Sequence, residues 1–315
     1  MLSGKRILIT GATGFVGACL LHRLVSLGFD VHIITRAVSN KWRIRDILKD
    51  VTEHDVDLWD STSTEALVAE IRPNIIYHLA AYAAYPFQQD VLQTIHTNVL
   101  GTVNLLNACV KYGFDSFINT GSSSEYGQKK APMKETDLLE PNSLYAVTKS
   151  AATQYCEFIG KSKGLPVATL RLFSVYGYYE EPSRLIPTVV KACLKKKNPE
   201  LSSGAPVRDF VFVDDIIDLY LKLAERKDLN GIILNAATGT QHSVGEVVDT
   251  CIRLSKADVH PLWGSVPGRS WDTNIWVADI ERTRTFLNWE PRYNLESGLQ
   301  KTLDWFREHL DLYGD

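Results

Sequence analysis

A short apolar segment, a glycine-rich turn and an amphipathic segment open the chain, and together they constrain its fold more than any other feature. Residues 5–10 read Lys-Arg-Ile-Leu-Ile-Thr, and Gly11, Gly14 and Gly17 follow at three-residue intervals. This order predicts a strand, a tight turn and a helix. Gly11 would permit the turn, Gly14 would let a pyrophosphate approach the main chain, and Gly17 would let the helix pack closely on the strand. Free N–H groups and the positive dipole end at the helix start suit an anion.

Apolar segments alternate with longer amphipathic segments as far as residue 177. The predicted strands are residues 31–35, 55–58, 75–81, 117–118 and 167–173, and helical patterns cover 62–71, 97–112 and 146–161. The alternation predicts an α/β fold with a Rossmann-type, doubly wound parallel sheet. Because the pattern breaks at 178–183, we expect a dinucleotide-binding domain from residues 1–177 and 207–238. Residues 178–206 and 239–315 would form a smaller mixed α/β C-terminal lobe.

Composition excludes several classes of function. The chain has 315 residues, 45% of them hydrophobic and 23% charged, with a formal net charge of −3. That length supports a sizeable core, and that charge gives no reason to expect a nucleic acid or an anionic membrane as partner. The N-terminal apolar segment is too short for a signal peptide or a membrane span. Five cysteines, at 19, 109, 156, 193 and 251, stand singly, so we expect reduced core residues in a cytoplasmic protein and no metal site.

Tyr145 and Lys149 form the candidate catalytic pair. Four residues apart, they lie one turn apart on one face of the predicted helix. A nearby ammonium favours a phenolate, and a tyrosine tuned in this way can exchange a proton with a carbonyl or an alcohol. Ser122, Ser123 and Ser124 follow a short apolar strand, so their hydroxyls could polarise the same oxygen. The Tyr-x-x-x-Lys spacing alone is common by chance, and the glycine pattern is what gives it weight.

In this order, the glycine pattern, the serines before Tyr126-Gly127, and Tyr145-x-x-x-Lys149 resemble the extended short-chain dehydrogenase/reductase family. Its members are NAD(P)-dependent nucleotide-sugar epimerases, dehydratases and reductases, and the resemblance runs over nearly the whole chain. It implies that Ser122, Tyr145 and Lys149 are catalytic and that the C-terminal lobe binds the nucleotide sugar. It also implies a homodimer formed through the helices at 97–112 and 146–161.

The resemblance further implies two sets of binding residues. The cofactor would be bound by Gly11, Thr13, Gly14, Phe15, Val16, Gly17, Arg36, Asp57, Leu58, Leu79, Ala80, Ala81, Asn98, Thr120, Tyr145, Lys149, Phe173 and Val175. The nucleotide-diphosphate sugar would be bound by Ser122, Ser123, Ser124, Arg184, Arg208 and Arg269. Arginine suits a diphosphate because its planar donors bind two oxygens at once. His78, inside an apolar strand, is interpreted as a core residue.

The end of the second predicted strand bears on the choice of cofactor. Thr35 and Arg36 stand where the family places the acidic residue that holds the adenosine ribose of NAD. An arginine there suits a 2′-phosphate, and Lys41, Arg43 and Arg45 add positive charge. The alternative is a solvated basic loop without function. The missing carboxylate favours NADP, with NADPH as reductant, over NAD.

The serine cluster bears on the reaction. The family's 4,6-dehydratases carry an acidic pair directly after the first hydroxyl, whereas Ser123 and Ser124 stand here and Glu125 comes one place too late. A cysteine, found in epimerase-reductases of the family, is also missing from the cluster. The chemistry that remains is hydride transfer to or from a carbonyl carbon, with one proton on its oxygen. The Gly-Ser-Ser-Ser-Glu-Tyr-Gly stretch resembles that of the family's 4-ketoreductases. With Thr35 and Arg36, this resemblance implies NADPH-dependent reduction of the C4 keto group of a nucleotide-linked 4-keto-6-deoxysugar. An NAD-dependent nucleotide-sugar 4-epimerase is the alternative. A non-catalytic NADP-binding regulator is disfavoured because Ser122, Tyr145 and Lys149 are all present.

Overall fold

The computed structural model describes residues 4–85, 87–268 and 273–314. Its strands are β1 (Arg6–Thr10), β2 (Asp30–Thr35), β3 (Thr52–Asp55), β4 (Ile75–His78), β5 (Ser116–Ser122), β6 (Val167–Leu172), β7 (Ser174–Tyr176), β8 (Glu200–Leu201), β9 (Val207–Arg208), β10 (Phe210–Phe212), β11 (Ile232–Ala236), β12 (His242–Ser243) and β13 (Leu262–Trp263). Its α-helices are α1 (Phe15–Ser26), α2 (Ser61–Ile71), α3 (Val91–Ile95), α4 (Gly101–Tyr112), α5 (Leu144–Lys163), α6 (Leu185–Leu194), α7 (Val213–Ala224), α8 (Val244–Ser255), α9 (Glu281–Leu287) and α10 (Leu295–His309). A π-helical turn covers His96–Leu100, and 3₁₀ turns cover Leu48–Asp50, Ser123–Tyr126 and Leu310–Tyr313.

The first of two compact units, residues 1–127, 135–172 and 217–235, is built on a seven-stranded sheet. The strand order is β11-β6-β5-β4-β1-β2-β3, and β1 to β6 pair in parallel. The predicted α/β fold with a parallel Rossmann-type sheet is confirmed. The strand order reverses between β1 and β4, and in such sheets ligands bind beyond the carboxyl ends of the strands at this position.

Several element boundaries differ from the predictions. β3 ends at Asp55, so Asp57 and Leu58 lie in the turn that follows. Asp60 caps α2 by accepting hydrogen bonds from the main-chain N–H groups of Thr62 and Ser63, at 3.0 and 3.2 Å. The Thr-x-x-Glu spacing at residues 62–65 predicts a capping box that opens the helix at Thr62. That prediction is wrong, because the Asp60 carboxylate, directly before the helix, accepts from those donors instead.

The second unit, residues 128–134, 173–216 and 236–315, packs α6, α8 and α10 together with small two-stranded sheets. Pairing is parallel in β7–β10 and β8–β13 and antiparallel in β9–β12, so the unit is mixed α/β. Residues 173–177 and 207–216 belong to this unit, whereas the sequence assigned them to the first. That the first unit binds the cofactor and the second the sugar nucleotide stays a prediction.

Three expected features can be compared with the described part of the chain. All five cysteines are buried free thiols, as the sequence predicted. Over residues 4–85, 87–268 and 273–314, no cluster of three or more potential metal ligands occurs. Within the same ranges, no helix is long and apolar enough to cross a bilayer.

Candidate active site

The glycine turn, residues 11–17, lies between β1 and α1 and leaves no room for side chains at two of its three glycines. Gly11 has φ +73°, and a Cβ there would lie 2.6 Å from the main-chain nitrogen of Ala80 after β4. A Cβ on Gly17 would lie 2.2 Å from the carbonyl oxygen of Gly11. The main chain of three elements is therefore packed to contact distance, and the α1 N-terminus is open to a phosphate group. A tight turn of this kind before a helix N-terminus suits the pyrophosphate of a dinucleotide.

The far end of β2 carries a carboxylate that comes from the neighbouring strand. The Glu53 side chain on β3 accepts hydrogen bonds from the Thr35 hydroxyl and from the Lys41 ammonium. Bonding to Lys41 and then to Thr35 lowers the pKa of Glu53, so this carboxylate is ionised at neutral pH. Sequence reasoning found no acid at this position because Glu53 reaches it only through the β2–β3 pairing. The Arg36 guanidinium makes no ion pair or hydrogen bond with the described residues.

Arg43 departs from the interpretation of residues 41–45 as a solvated basic loop. Only 6% of its surface is exposed, and its guanidinium donates to the carbonyl oxygen of Thr13 at 3.3 Å. The Trp42 ring lies 4.4 Å from the guanidinium carbon, a cation–π contact. Arg43 thus binds the main chain of the glycine turn at Thr13.

The exit of β4 is held by buried polar groups. The ring nitrogens of His78 contact the hydroxyls of Thr10, at 2.7 Å, and Thr102, at 2.9 Å. Burial lowers the pKa of His78 to about 3, so the ring is neutral and acts as a core residue, as predicted. The main-chain N–H of Ala80 donates to the Thr10 hydroxyl at 3.2 Å, which fixes the strip of chain that faces Gly11.

Asn98, in the π-helical turn, connects the segment after β4 to α5, the helix that carries Tyr145 and Lys149. Its amide nitrogen donates to the Tyr82 carbonyl oxygen at 3.0 Å and to the Thr148 hydroxyl at 2.9 Å. Its amide oxygen accepts from the Tyr82 main-chain N–H at 2.8 Å. Both amide hydrogens are thus used within the protein. Asn98 positions the residue next to Lys149, and its predicted contact with the cofactor stays a prediction.

The serine turn, residues 120–127, leads from β5 into a 3₁₀ turn. The Ser122 hydroxyl accepts from the Ser124 main-chain N–H at 3.2 Å and donates to the Ser124 hydroxyl at 3.1 Å. Glu125 completes a capping box by accepting from the Ser122 main-chain N–H at 2.8 Å. The turn therefore presents a fixed hydroxyl at the carboxyl end of the central strand β5.

Tyr145 and Lys149 lie in the first two turns of α5, which packs against β5 and the serine turn. Tyr145 is half-buried, and Lys149 is 3% exposed. Burial lowers the pKa of Lys149, and the charge of Glu125 opposes that shift. The helix that carries the predicted pair thus packs against the turn that carries the predicted serine, and the lysine charge lies in a poorly solvated position.

Thr120 is bonded within the protein. Its hydroxyl lies 2.6 Å from the Tyr220 hydroxyl on α7. The Tyr220 ring in turn makes an edge contact with Tyr77, at 5.9 Å between centroids. The predicted role of Thr120 in cofactor binding stays a prediction.

The remaining predicted residues fall in other places. Leu58 is buried, and its carbonyl oxygen accepts from the Asn104 amide at 3.0 Å. Phe173 and Val175 belong to the second unit. Arg184 and Arg208 line one cavity of about 240 Å³ within that unit. Arg269 lies outside the described residues.

Sequence reasoning missed three buried charged residues, Arg43, Glu125 and Arg171. Arg171 carried a signal, because an arginine in the middle of the apolar strand 167–173 requires a buried partner. The partner is Glu125, whose carboxylate accepts from the Arg171 Nε at 2.7 Å.

The parallel sheet and the glycine turn at its switch point define a Rossmann-type dinucleotide-binding protein. Residues 7–237 match the model of the NAD dependent epimerase/dehydratase family. The chain belongs to this family. It is therefore an enzyme of the nucleotide-sugar epimerase/dehydratase class that uses a nicotinamide cofactor.

Several similar proteins match this chain over nearly its whole length and nearly the whole of their own. UDP-glucose 4-epimerase of Halalkalibacterium halodurans is 26% identical and covers 96% of this chain and 96% of its own. The crystal structure of UDP-glucose 4-epimerase from Thermotoga maritima, with UDP-glucose, has a TM-score of 0.88 at 27% identity and covers 97% of this chain and 99% of its own. UDP-glucuronic acid 4-epimerase from Bacillus cereus, in complex with UDP-glucuronic acid and NAD, has a TM-score of 0.84 at 26% identity and covers 96% and 99%.

Proposed function

We propose that the protein is a nucleotide-sugar 4-epimerase, which inverts C4 of the sugar by oxidising and then reducing the same carbon. The observation that carries this proposal is a serine hydroxyl, a tyrosine and a buried lysine on packed elements, beside a Glu125 carboxylate whose two oxygens are both bonded to protein groups. The 4-epimerases among the similar proteins support it over the 4-ketoreductase predicted from the sequence.

The chain's own residues would act at one oxygen. Tyr145 removes the proton from the C4 hydroxyl as the C4–H bond breaks and returns it after the sugar has turned. The Ser122 hydroxyl binds the same oxygen, and the Lys149 ammonium stabilises the ionised tyrosine. A bound nicotinamide supplies the acceptor and donor of the hydride. No net oxidant or reductant is consumed.

Elimination of water is disfavoured by the geometry of Glu125. Both of its carboxylate oxygens are bonded to protein groups, one to Ser122 and Thr153 and the other to Arg171. A dehydratase needs a group that can exchange protons with the sugar, and Glu125 is fully buried. It would have to break three hydrogen bonds before it could reach a substrate.

NAD is the cofactor we propose. The ionised Glu53 carboxylate at the end of β2 suits the two hydroxyls of an adenosine ribose and would repel a 2′-phosphate. The NAD-bound structure similar to this chain supports the same choice. Arg36 remains the feature that favours NADP.

The substrate class we propose is a nucleotide-diphosphate sugar. Arg184 and Arg208 line the same cavity, and two guanidinium groups suit a diphosphate. The Arg208 guanidinium also lies 5.4 Å from the Trp276 ring, which restricts its orientation. UDP-glucose and UDP-glucuronic acid are the first substrates to test.

The experiment is incubation of the purified protein with UDP-glucose, UDP-galactose and UDP-glucuronic acid, followed by proton NMR of the sugar. The proposal expects a C4 epimer to accumulate to equilibrium without consumption of added NADH or NADPH. Failure with these and with the GDP-, CDP- and dTDP-linked hexoses would reject it.

A 4-ketoreductase is the second candidate, because the Arg36 guanidinium has no ion pair within the described residues. It predicts stoichiometric loss of NADPH absorbance when nucleotide-linked 4-keto-6-deoxysugars are added. The two assays separate the candidates, since only the ketoreductase consumes a reductant.

A homodimer through α4 and α5 completes the proposal. Val147 and Phe158 on α5 are exposed, at 49% and 63%, which is the kind of surface that a helical interface covers. Sedimentation at micromolar concentration should give twice the chain mass, and Phe158→Glu should give a monomer. A monomeric unmodified protein would contradict the dimer.

A further inference from the structure

Glu125 links three elements around the proposed catalytic residues. It is 0% exposed. One oxygen accepts from the Ser122 main-chain N–H at 2.8 Å and from the Thr153 hydroxyl on α5 at 2.9 Å. The other oxygen accepts from the Arg171 Nε on β6 at 2.7 Å. The carboxylate therefore ties the end of β5 to α5 and β6 through three separate donors.

The ion pair between Glu125 and Arg171 is buried, and the chain around it is closely packed. Arg171 is 2% exposed, and a buried ion pair is often no more stable than apolar side chains of the same volume. A Cβ on Gly121 would lie 2.7 Å from the Glu125 oxygen and 2.8 Å from the Thr169 methyl group. The Gly121 main chain therefore approaches the carboxylate too closely for a side chain to fit between them. Fold stability alone does not explain such a site.

The pair is also anchored on its outer side. The Arg171 guanidinium carbon lies 4.6 Å from the Tyr126 ring, and the Tyr126 hydroxyl donates to the Asn235 amide oxygen at 2.7 Å. Arg171 further donates to the carbonyl oxygen of Glu135 at 3.4 Å. Arg171 is thus held by the Tyr126 ring and the Glu135 carbonyl oxygen as well as by Glu125.

The charge of Glu125 acts on Lys149. Thr153, its partner on α5, lies one helical turn beyond Lys149. Burial lowers the pKa of Lys149, whereas Glu125 and, more weakly, the Cys156 thiol raise it. His78, on β4, also couples to Lys149 and is neutral. Glu125 is thus a carboxylate whose charge acts on the lysine, and Arg171 is the cation bonded to that carboxylate.

We propose that Glu125 is a positioning residue of this active site, which locks the Ser122 main chain to α5 and serves as counter-charge to the buried lysine. The proposal rests on the proposed function for the roles of Ser122 and Lys149. The bond network itself does not depend on which reaction the site performs.

The main test is the pH profile of turnover in Glu125→Gln. The sign follows from the charges: without the carboxylate, nothing from Glu125 opposes the effect of burial, so the pKa of Lys149 falls further. Activity that needs a protonated lysine should then be lost at lower pH than in the unmodified protein. An opposite charge at close range shifts a pKa by roughly one to three units, so we expect the alkaline limb to move down by about one unit or more.

A matched control is Asp215→Asn. Asp215 is also fully buried, accepts from the main-chain N–H groups of Arg292 and Tyr293 at 3.0 and 3.1 Å, and pairs with Arg292 at 3.6 Å. The Asp215→Asn variant should have a lower melting temperature and the same pH profile of turnover as the unmodified protein. If Glu125→Gln melts lower but has the unmodified pH profile, Glu125 is merely structural and the proposal is wrong.

A second variant covers the case in which Glu125→Gln does not fold. Thr153→Val keeps the side-chain shape and removes one hydrogen bond to Glu125. The control is Thr302→Val on α10, because Thr302 is also buried and donates one hydrogen bond, to Gly298. One hydrogen bond corresponds to a loss of about two- to tenfold in turnover, with faster amide exchange at Ser122. Unchanged turnover and unchanged exchange would overturn the proposal.

Amide exchange also separates the two proposals. If the unmodified protein epimerises no nucleotide sugar, the proposed function fails, yet exchange at Ser122 still reports on the Glu125 bond. If epimerisation is observed and neither variant alters the pH profile or the exchange, the proposed function holds and the role of Glu125 is rejected.

Discussion

The glycine turn after β1 and the serine turn after β5 occupy corresponding places in one parallel sheet but are built in opposite ways. The glycine turn depends on the absence of side chains at Gly11 and Gly17, which approach so closely that a Cβ on Gly17 would lie 2.2 Å from the Gly11 carbonyl oxygen. Buried side chains shape the serine turn, where Glu125 and Arg171 form an internal ion pair. Substitutions in the first should act through steric overlap, and substitutions in the second through charge and protons.

The largest expected effect is that of Gly17→Ala. Overpacking of this kind costs roughly 3 kcal/mol, and it would displace α1 from β1, so we expect a lower melting temperature and loss of NAD binding. Gly245→Ala in the first turn of α8, where the nearest atom to a Cβ would be 3.4 Å away, is the control. Calorimetric titration with NAD measures the affinity of both variants for the cofactor. Unchanged NAD affinity in Gly17→Ala would show that the glycine turn does not bind the cofactor.

Tyr145→Phe should be next. General acid–base catalysis contributes roughly a hundred- to ten-thousand-fold, so turnover should fall by about that factor while NAD affinity stays nearly unchanged. Ser122→Ala should cost less, about ten- to a hundredfold, because it removes one hydrogen-bond donor and leaves the acid. Lys149→Met should weaken both turnover and NAD binding. Single-turnover measurements decide, and full activity in Tyr145→Phe would remove this residue from the mechanism.

The smallest effects are expected at the end of β2, where we propose that the adenosine ribose binds. Glu53→Gln removes the charge that would bind ribose, so NAD affinity should fall by about tenfold while NADP binds no worse. Arg36→Asp should weaken NADP by about the same factor and leave NAD unaffected or improved. Titrating both variants with both dinucleotides checks this. An unmodified protein that binds NADP more tightly than NAD would return the cofactor to the original prediction.

Prediction from sequence succeeded where the signal is local. The glycine spacing predicted the turn that Gly11 and Gly17 form, and the apolar run around His78 predicted a core histidine, since both depend on neighbouring residues. It failed where partners are distant in the chain. Thr35 and Arg36 indicated a missing carboxylate, yet β3 delivers Glu53 to the same place. Arg43 was counted among the charges that favour a 2′-phosphate, yet it is buried and donates to Thr13 in the glycine turn.

The sequence alone determined the order of strands and helices, the turn between β1 and α1, and the common face of Tyr145 and Lys149, because helix and strand periods act over a few residues. Only the tertiary structure decided which charges are buried and what they contact. Glu125 and Arg171 are 46 residues apart, and they meet because β5 and β6 pair in register, with Gly121 opposite Arg171. Pairing between strands is set by packing of the whole sheet. For that reason a single sequence predicts a candidate catalytic tyrosine but not the carboxylate that we propose supports its lysine.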